Sequence, residues 1–209
     1  MMTRRLAALA IFAAALGLPA CTTAQSWRAD YVSDASYILG TYEPAEIDHS
    51  PQAMAEAAKN FIALLDADQR REALHDLRSA ERRDWTNLPA RRESGGIRLG
   101  LCNAAQLRAA CDLMATVFSR GGFEKVRDIM LADDQLLRGG RPRVGFGTEE
   151  FALVVFGTPS ATAPWAFQID GHHVGINVAL EGEQMSMSPS FIGTQPDAFT
   201  IGSRTVSYT

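Results

Sequence analysis

The sequence predicts an α+β fold in which N-terminal helices pack on one face of a C-terminal antiparallel β-meander. Two observations carry that expectation. Apolar residues recur at the helical 3.6-residue period between Ser50 and Leu137, and from Phe151 onward they fall into short runs separated by tight-turn dipeptides. A chain of 209 residues, 46% hydrophobic and 21% charged, makes one globular domain with appendages. The same figures exclude a disordered tail, a collagen-like repeat and a disulfide-dense miniprotein.

Ser50-Pro51 reads as a helix start, with Ser as N-cap and Pro in the first turn. Met54, Ala57, Ala58, Phe61 and Leu64 then line one face. Asp68 is expected to cap a short second helix through Ala73, Leu74 and Leu77, and residues 79–100 read as loop around Pro89 and Gly95-Gly96. Asn103 opens a third helix with Leu107, Ala110, Cys111, Met114 and Val117 on one side, which Gly121-Gly122 is expected to end. A fourth helix carries Phe123, Val126, Ile129 and Met130 and stops at Gly139-Gly140. Strands follow over Phe151–Gly157, Trp165–Ile169, His172–Leu180 and Gln184–Phe191, with Asp170-Gly171 and Glu181-Gly182 as the two hairpin turns. The domain is thus expected over 50–209. Residues 26–49, with Trp27, Tyr31, Tyr37 and Tyr42 among polar residues and no clean period, read as a tether that docks its aromatics.

Residues 1–25 have the pattern of an export signal: Arg4 and Arg5, then an apolar run from Leu6 to Leu18 too short to span a bilayer. Leu18-Pro19-Ala20-Cys21 resembles the bacterial lipoprotein signal, which is cut before a cysteine that then carries lipid; cleavage after Ala24 in an ordinary secretory signal is the alternative. Under the first reading Cys21 tethers the protein to a membrane. Thr22, where an inner-membrane lipoprotein usually has Asp, favours the periplasmic side of the outer membrane.

Without Arg4 and Arg5, 18 basic side chains face 24 acidic ones, a net charge of −6. The arginine pairs at 70–71, 82–83 and 91–92 are interleaved with Asp and Glu, which excludes the concentrated basic face that nucleic acid needs. If Asn103 caps a helix holding Cys111, that cysteine lies about 12 Å from Cys102 at a rise of ~1.5 Å per residue. A disulfide needs Cα atoms within about 7 Å. Two unpaired, core-type cysteines are favoured over a bridge.

The informative constellation is the meander. With Asp170-Gly171 at the turn, Trp165, Phe167, Ile169, Val174, Ile176, Val178 and Leu180 share an apolar face with His172 at its edge. The other face sets Gln168 against His173, Ala166 against Gly175 and Asn177 against Ser186. Polar tips alternating with small residues leave gaps through which a small polar ligand could reach the backbone. An ordinary solvated face explains the same pattern.

The phrases Gly157-Thr158-Pro159-Ser160, Pro164-Trp165-Ala166-Phe167 and Gly171-His172-His173-Val174-Gly175-Ile176-Asn177 resemble domain-of-unknown-function family 3500. Pro189-Ser190-Phe191-Ile192-Gly193 with Pro196, Gly122-Phe123-Glu124-Lys125, and the Arg82, Trp85 and Pro89 phrase extend the likeness over residues 55–200. It implies kinship without a mechanism, because the family has no settled activity. It adds Trp85 and Arg82 to the rim of the expected site. Family members usually continue with further helical chain, so this is a short form.

Three functions follow as expectations. The first is an exported binding or accessory domain using His173, Gln168, Asn177, Ser186 and His172, with Trp85 and Arg82. The second is a metal-dependent envelope enzyme with a transition metal on His173. It needs further ligands from His49, His75, Asp133 or Asp134, since neighbouring strand residues such as His172 and His173 point to opposite faces. The third is a structural envelope protein. No Gly-x-Ser-x-Gly elbow frames Ser186, Ser188 or Ser190, and no phosphate loop surrounds Gly145-Phe146-Gly147. Asp133-Asp134 and Glu149-Glu150 read as exposed ends.

Overall fold

The computed structural model describes residues 30–89, 95–138 and 144–208. The export signal, Cys21, Trp27, Arg91-Arg92 and Gly139-Gly140 lie outside them. Among the described residues five α-helices lie mostly N-terminal to an antiparallel-rich sheet, which is the expected α+β architecture. Among the described residues no helix is long and apolar enough to cross a membrane.

The stretch expected as a tether contains helix α1 (Asp34–Thr41), which buries Ala35, Ile38 and Leu39. Its start is a capping box in which Ser33 and Ser36 each bond the other's backbone. Tyr37 and Tyr42 pack on the core as expected. Helix α2 (Pro51–Leu64) begins as predicted, Ser50 Oγ accepting from Ala53 N at 3.2 Å. Helix α3 (Ala67–Ala73) is capped by Asp66 rather than Asp68: Asp66 accepts from the backbone of Asp68 and Gln69, and the Gln69 side chain returns a bond to Asp66 N. Asp68 instead pairs with Arg71 on the exposed surface.

Asn103 caps α4 (Ala104–Val117) in a second such box with Gln106. That helix ends at the extended residue Phe118, not at Gly121-Gly122. Ser119 immediately caps α5 (Arg120–Asp133), accepting from Gly122 N at 3.2 Å, so the two glycines lie inside its first turn. Helices α2 and α4 pack together, with α1 across α4 and α5. Both body cysteines are unpaired, as the spacing predicted. Burial lifts the thiol pKa of Cys102 to about 11 and of Cys111 to about 12, which keeps them protonated and unreactive.

The main sheet runs β1 (Leu74–His75), β3 (Ala152–Phe156), β4 (Trp165–Gly171), β5 (Val174–Glu181) and β6 (Gln184–Ser186). Strand β1 is parallel to β3 and shares that edge with antiparallel β2 (Ile97–Arg98). Strand β7 (Ser190–Ile192) shares the far edge with β6. The expected continuous strand from Gln184 to Phe191 is thus two pieces, broken across Pro189, which has no N–H to give to a ladder. A separate hairpin of β8 (Ala198–Ile201) and β9 (Arg204–Ser207) packs Phe199, Ile201 and Val206 on Leu131 and Ala132 of α5.

Both predicted turns are displaced. The β4–β5 turn is His172-His173, with Gly171 opposite Val174 and Gln168 opposite Asn177. Asp170-Gly171 belongs to the strand because Asp170 is buried and bonded, and because Gly171 lets the Phe151 ring approach; a Cβ there would lie 2.5 Å from it. The second turn is Gly182-Glu183, with Gly182 at φ 54°. Each slip moves the pairing by an even number of residues, so the expected faces survive. Trp165, Phe167, Ile169, Val174, Ile176 and Val178 all lie in the core beneath the helices.

Candidate functional site

The opposite face is not open. Residues 76–89, which include a short 3₁₀ turn (Ala80–Arg83), cross it as a strap. Gln168, Asp170 and Asn177 beneath are at most 8% exposed. Gln168 Nε2 donates to the Arg82 carbonyl at 2.7 Å, Thr86 N donates to Asp170 Oδ2 at 2.9 Å, and Asn177 Nδ2 donates to the Pro189 carbonyl at 2.8 Å. The gap at Gly175 is filled by Trp85: a Cβ there would meet the indole at 2.6 Å. The polar and small residues expected to admit a ligand therefore hold and accommodate the protein's own chain. Burial lifts the Asp170 pKa to about 7, against the single bond from Thr86 N, which pulls it down. Ser186 is exposed on β6, apart from these anchors and opposite Ala179 rather than Asn177.

The two histidines behave differently. Because they occupy a turn and not a strand, their rings do not point to opposite faces; the centroids are 3.9 Å apart. His172 is buried and its Nδ1 lies 2.6 Å from Asp133 Oδ1. The second oxygen of Asp133 accepts from Gly147 N at 2.6 Å, and Phe146 meets the His172 ring edge-on at 4.9 Å. His173 is half-buried and takes φ 64°, the left-handed region. Its N–H donates to the Asn87 carbonyl and its carbonyl accepts from Gly193 N, so the backbone is held on both sides. Among the described residues its ring Nε2 has only a long contact, 3.5 Å, to Gln195 Oε1.

Asp133 and Asp134, expected as exposed ends, are each 2% exposed. They sit at the C-terminal end of α5, where the helix dipole disfavours negative charge. Backbone donors offset this: Gly147 N for Asp133, and Thr148 N for Asp134 Oδ1 at 2.7 Å. Burial still dominates, raising the Asp133 pKa against the pull of His172 and Gly147, and lifting Asp134 to about 6. An ionised Asp133 can only accept, which assigns the proton of neutral His172 to Nδ1 and the lone pair to Nε2. That second nitrogen has no hydrogen-bond partner among the described residues.

Of the residues the sequence singled out, the fold joins His172 and His173 at the hairpin tip, and places Gln168, Asn177, Trp85 and the Arg82 backbone under or within the strap. His49 bonds the Thr116 carbonyl and His75 lies against Phe156, so neither reaches the tip. Among the described residues no three His, Cys, Asp or Glu side chains converge as metal ligands would. Asp133 and Phe146 were not anticipated as partners of His172. The available signal was two adjacent acids at the unfavourable end of an apolar helix. Residues 48–207 match the model of a family described as "Protein of unknown function (DUF3500)". No curated protein and no solved structure matches the chain.

Proposed function

The chain belongs to the DUF3500 family, and on that premise we propose that it is an exported, lipid-anchored envelope domain that binds a small polar ligand at the tip of the β4–β5 hairpin. The observation that carries this reading is the 2.6 Å bond from His172 Nδ1 to a buried carboxylate. It fixes one tautomer and leaves Nε2 as the ring's acceptor. His172 Nε2 accepts a hydrogen bond from a hydroxyl, amide or ammonium group, and the neighbouring His173 ring gives a second polar contact. Cys21 supplies the anchor and the outer membrane is the favoured address.

Histidine ring ¹⁵N shifts, followed in the purified protein against a panel of sugars, amino acids and N-acetyl amides, test this reading. A binder that moves His172 Nε2, and is lost in His172→Gln and His173→Ala while both variants keep the wild-type unfolding free energy in urea within about 1 kcal/mol, supports it. A panel with no effect on either ring, or binding indifferent to both substitutions, refutes it. The metal-dependent alternative rests on the closeness of the two imidazoles. Near-stoichiometric metal in chelator-free protein, lost in His173→Ala, would put that reading first.

A further inference from the structure

At the other end of the strap-covered face lies a cavity of about 290 Å³. Its walls are Leu77 and Arg82 of the strap, Pro164 before β4, Ala179 of β5 and Met185 of β6. Seven residues separate His173 from Leu180 along β5, so the cavity lies about 20 Å from the hairpin tip at ~3.3 Å per residue. It is a different place from the site proposed above and does not depend on that reading. The volume is at the small end of the range for ligand pockets.

Arg82 gives the cavity its chemistry. Its side chain is half-buried, and its guanidinium carbon lies 5.9 Å from the centre of the Phe156 ring. One nitrogen, Nη1, donates to the Leu77 carbonyl at 3.2 Å. Among the described residues Arg82 takes part in no ion pair. A guanidinium has five N–H donors in a planar fork, so several are unused on a largely apolar surface where a charge-assisted bond gains strength. The floor is kept low by Ala179, paired with Ala166. Met185, 45% exposed, offers an adaptable apolar wall. Glu181 also borders the cavity, but it is exposed at the end of β5, where water and salt screen its charge.

We propose that this cavity is a second binding site, for a small monocarboxylate with an apolar body, whose carboxylate pairs with Arg82 and whose hydrocarbon lies over Ala179 between Leu77 and Met185. A single cation on apolar walls suits one carboxylate and not a polyanion. The strap's bonds to Gln168, Asp170 and His173 all use strap backbone atoms, so changing the Arg82 side chain leaves the wall attached.

Calorimetry and amide NMR on the purified protein, with hexanoate and its neutral isostere hexanamide as probes, test the proposal. Hexanoate is expected to bind at least tenfold more tightly than hexanamide. Arg82→Gln removes that preference, weakening hexanoate at least tenfold and leaving hexanamide unchanged, while His173→Ala alters neither. Ala179→Leu, which fills the floor, weakens both probes; if it unfolds the protein, the Arg82→Gln comparison decides alone. No binding of hexanoate at millimolar concentration overturns the proposal. So does equal binding of the two probes, or hexanoate binding that is indifferent to Arg82→Gln.

Discussion

The strap-covered face and the hairpin tip are adjacent surfaces of one sheet, both rich in polar side chains, and they use them in opposite ways. Under the strap, Gln168, Asp170 and Asn177 each bond a backbone atom of the protein's own chain. At the tip, the buried pair His172–Asp133 leaves one imidazole nitrogen without a partner among the described residues, and His173 is held in a left-handed backbone conformation by flanking bonds. Polar residues that close their accounts within the fold are architectural. Those retaining unused capacity, or carrying strain, are where a ligand or a proton has something to do.

That contrast can be broken experimentally. The largest effect is expected from Trp85→Ala, which empties the gap above Gly175. It should lower stability by about 3 kcal/mol in urea titration yet leave the His172 ring shifts unchanged. Loss of the His172 tautomer in this variant would mean that strap and tip are one unit.

Next comes Asp170→Asn. With its pKa lifted to about 7, Asp170 holds a proton in the folded state at pH values where the unfolded chain has released it. The unfolded state then binds fewer protons, so this group's contribution to stability falls as pH rises from about 4 to about 7 and stays flat above. Asn cannot ionise and keeps an acceptor for Thr86 N. The variant is therefore expected to be more stable than wild type at pH 8, by on the order of 2 kcal/mol, and equal to it near pH 4. Identical stability curves across that range would show Asp170 to be hydrated.

Asp133→Asn tests the tip. Asp133 accepts from both His172 and Gly147 through two oxygens, whereas Asn has one acceptor and must leave a buried donor unpaired. A loss of about 1–2 kcal/mol is expected, together with a mixture of His172 tautomers in long-range ¹H–¹⁵N spectra. A tautomer still fixed at Nδ1–H would show that the carboxylate does not set it. The smallest effect belongs to His173→Gly, which relieves the left-handed residue and gains up to about 1 kcal/mol. A loss of stability instead would make the His173 ring a structural prop.

Much of this architecture was legible from periodicity. The helices from Pro51 to Asp133 and the apolar face of the meander follow directly, because an even slip of register moves a turn without exchanging the faces of the sheet. The β8–β9 hairpin carries a local signal too, Gly202-Ser203 between Phe199, Ile201 and Val206, with Gly202 in the left-handed region. The strap was not legible. Leu77, Arg82 and Trp85 have no common period, and nothing in a local pattern says that a loop will return over a sheet. A polar strand face reads the same whether it meets water or the chain's own backbone. The His172–Asp133 contact joins residues 39 apart and is set by how α5 lies against the hairpin.

The manner in which the strap is attached has a consequence for variation. Its three fastenings to β4 and the hairpin use the carbonyl of Arg82, the N–H of Thr86 and the carbonyl of Asn87. Backbone atoms are common to nearly every amino acid, so the side chains at these positions can be exchanged without unfastening the segment. Trp85 over Gly175 and Leu77 against Phe156 and Ala166 are keyed to their places by shape. The strap is thus a cassette: substitution can change the chemistry it presents, one residue at a time, on a frame fastened through its backbone.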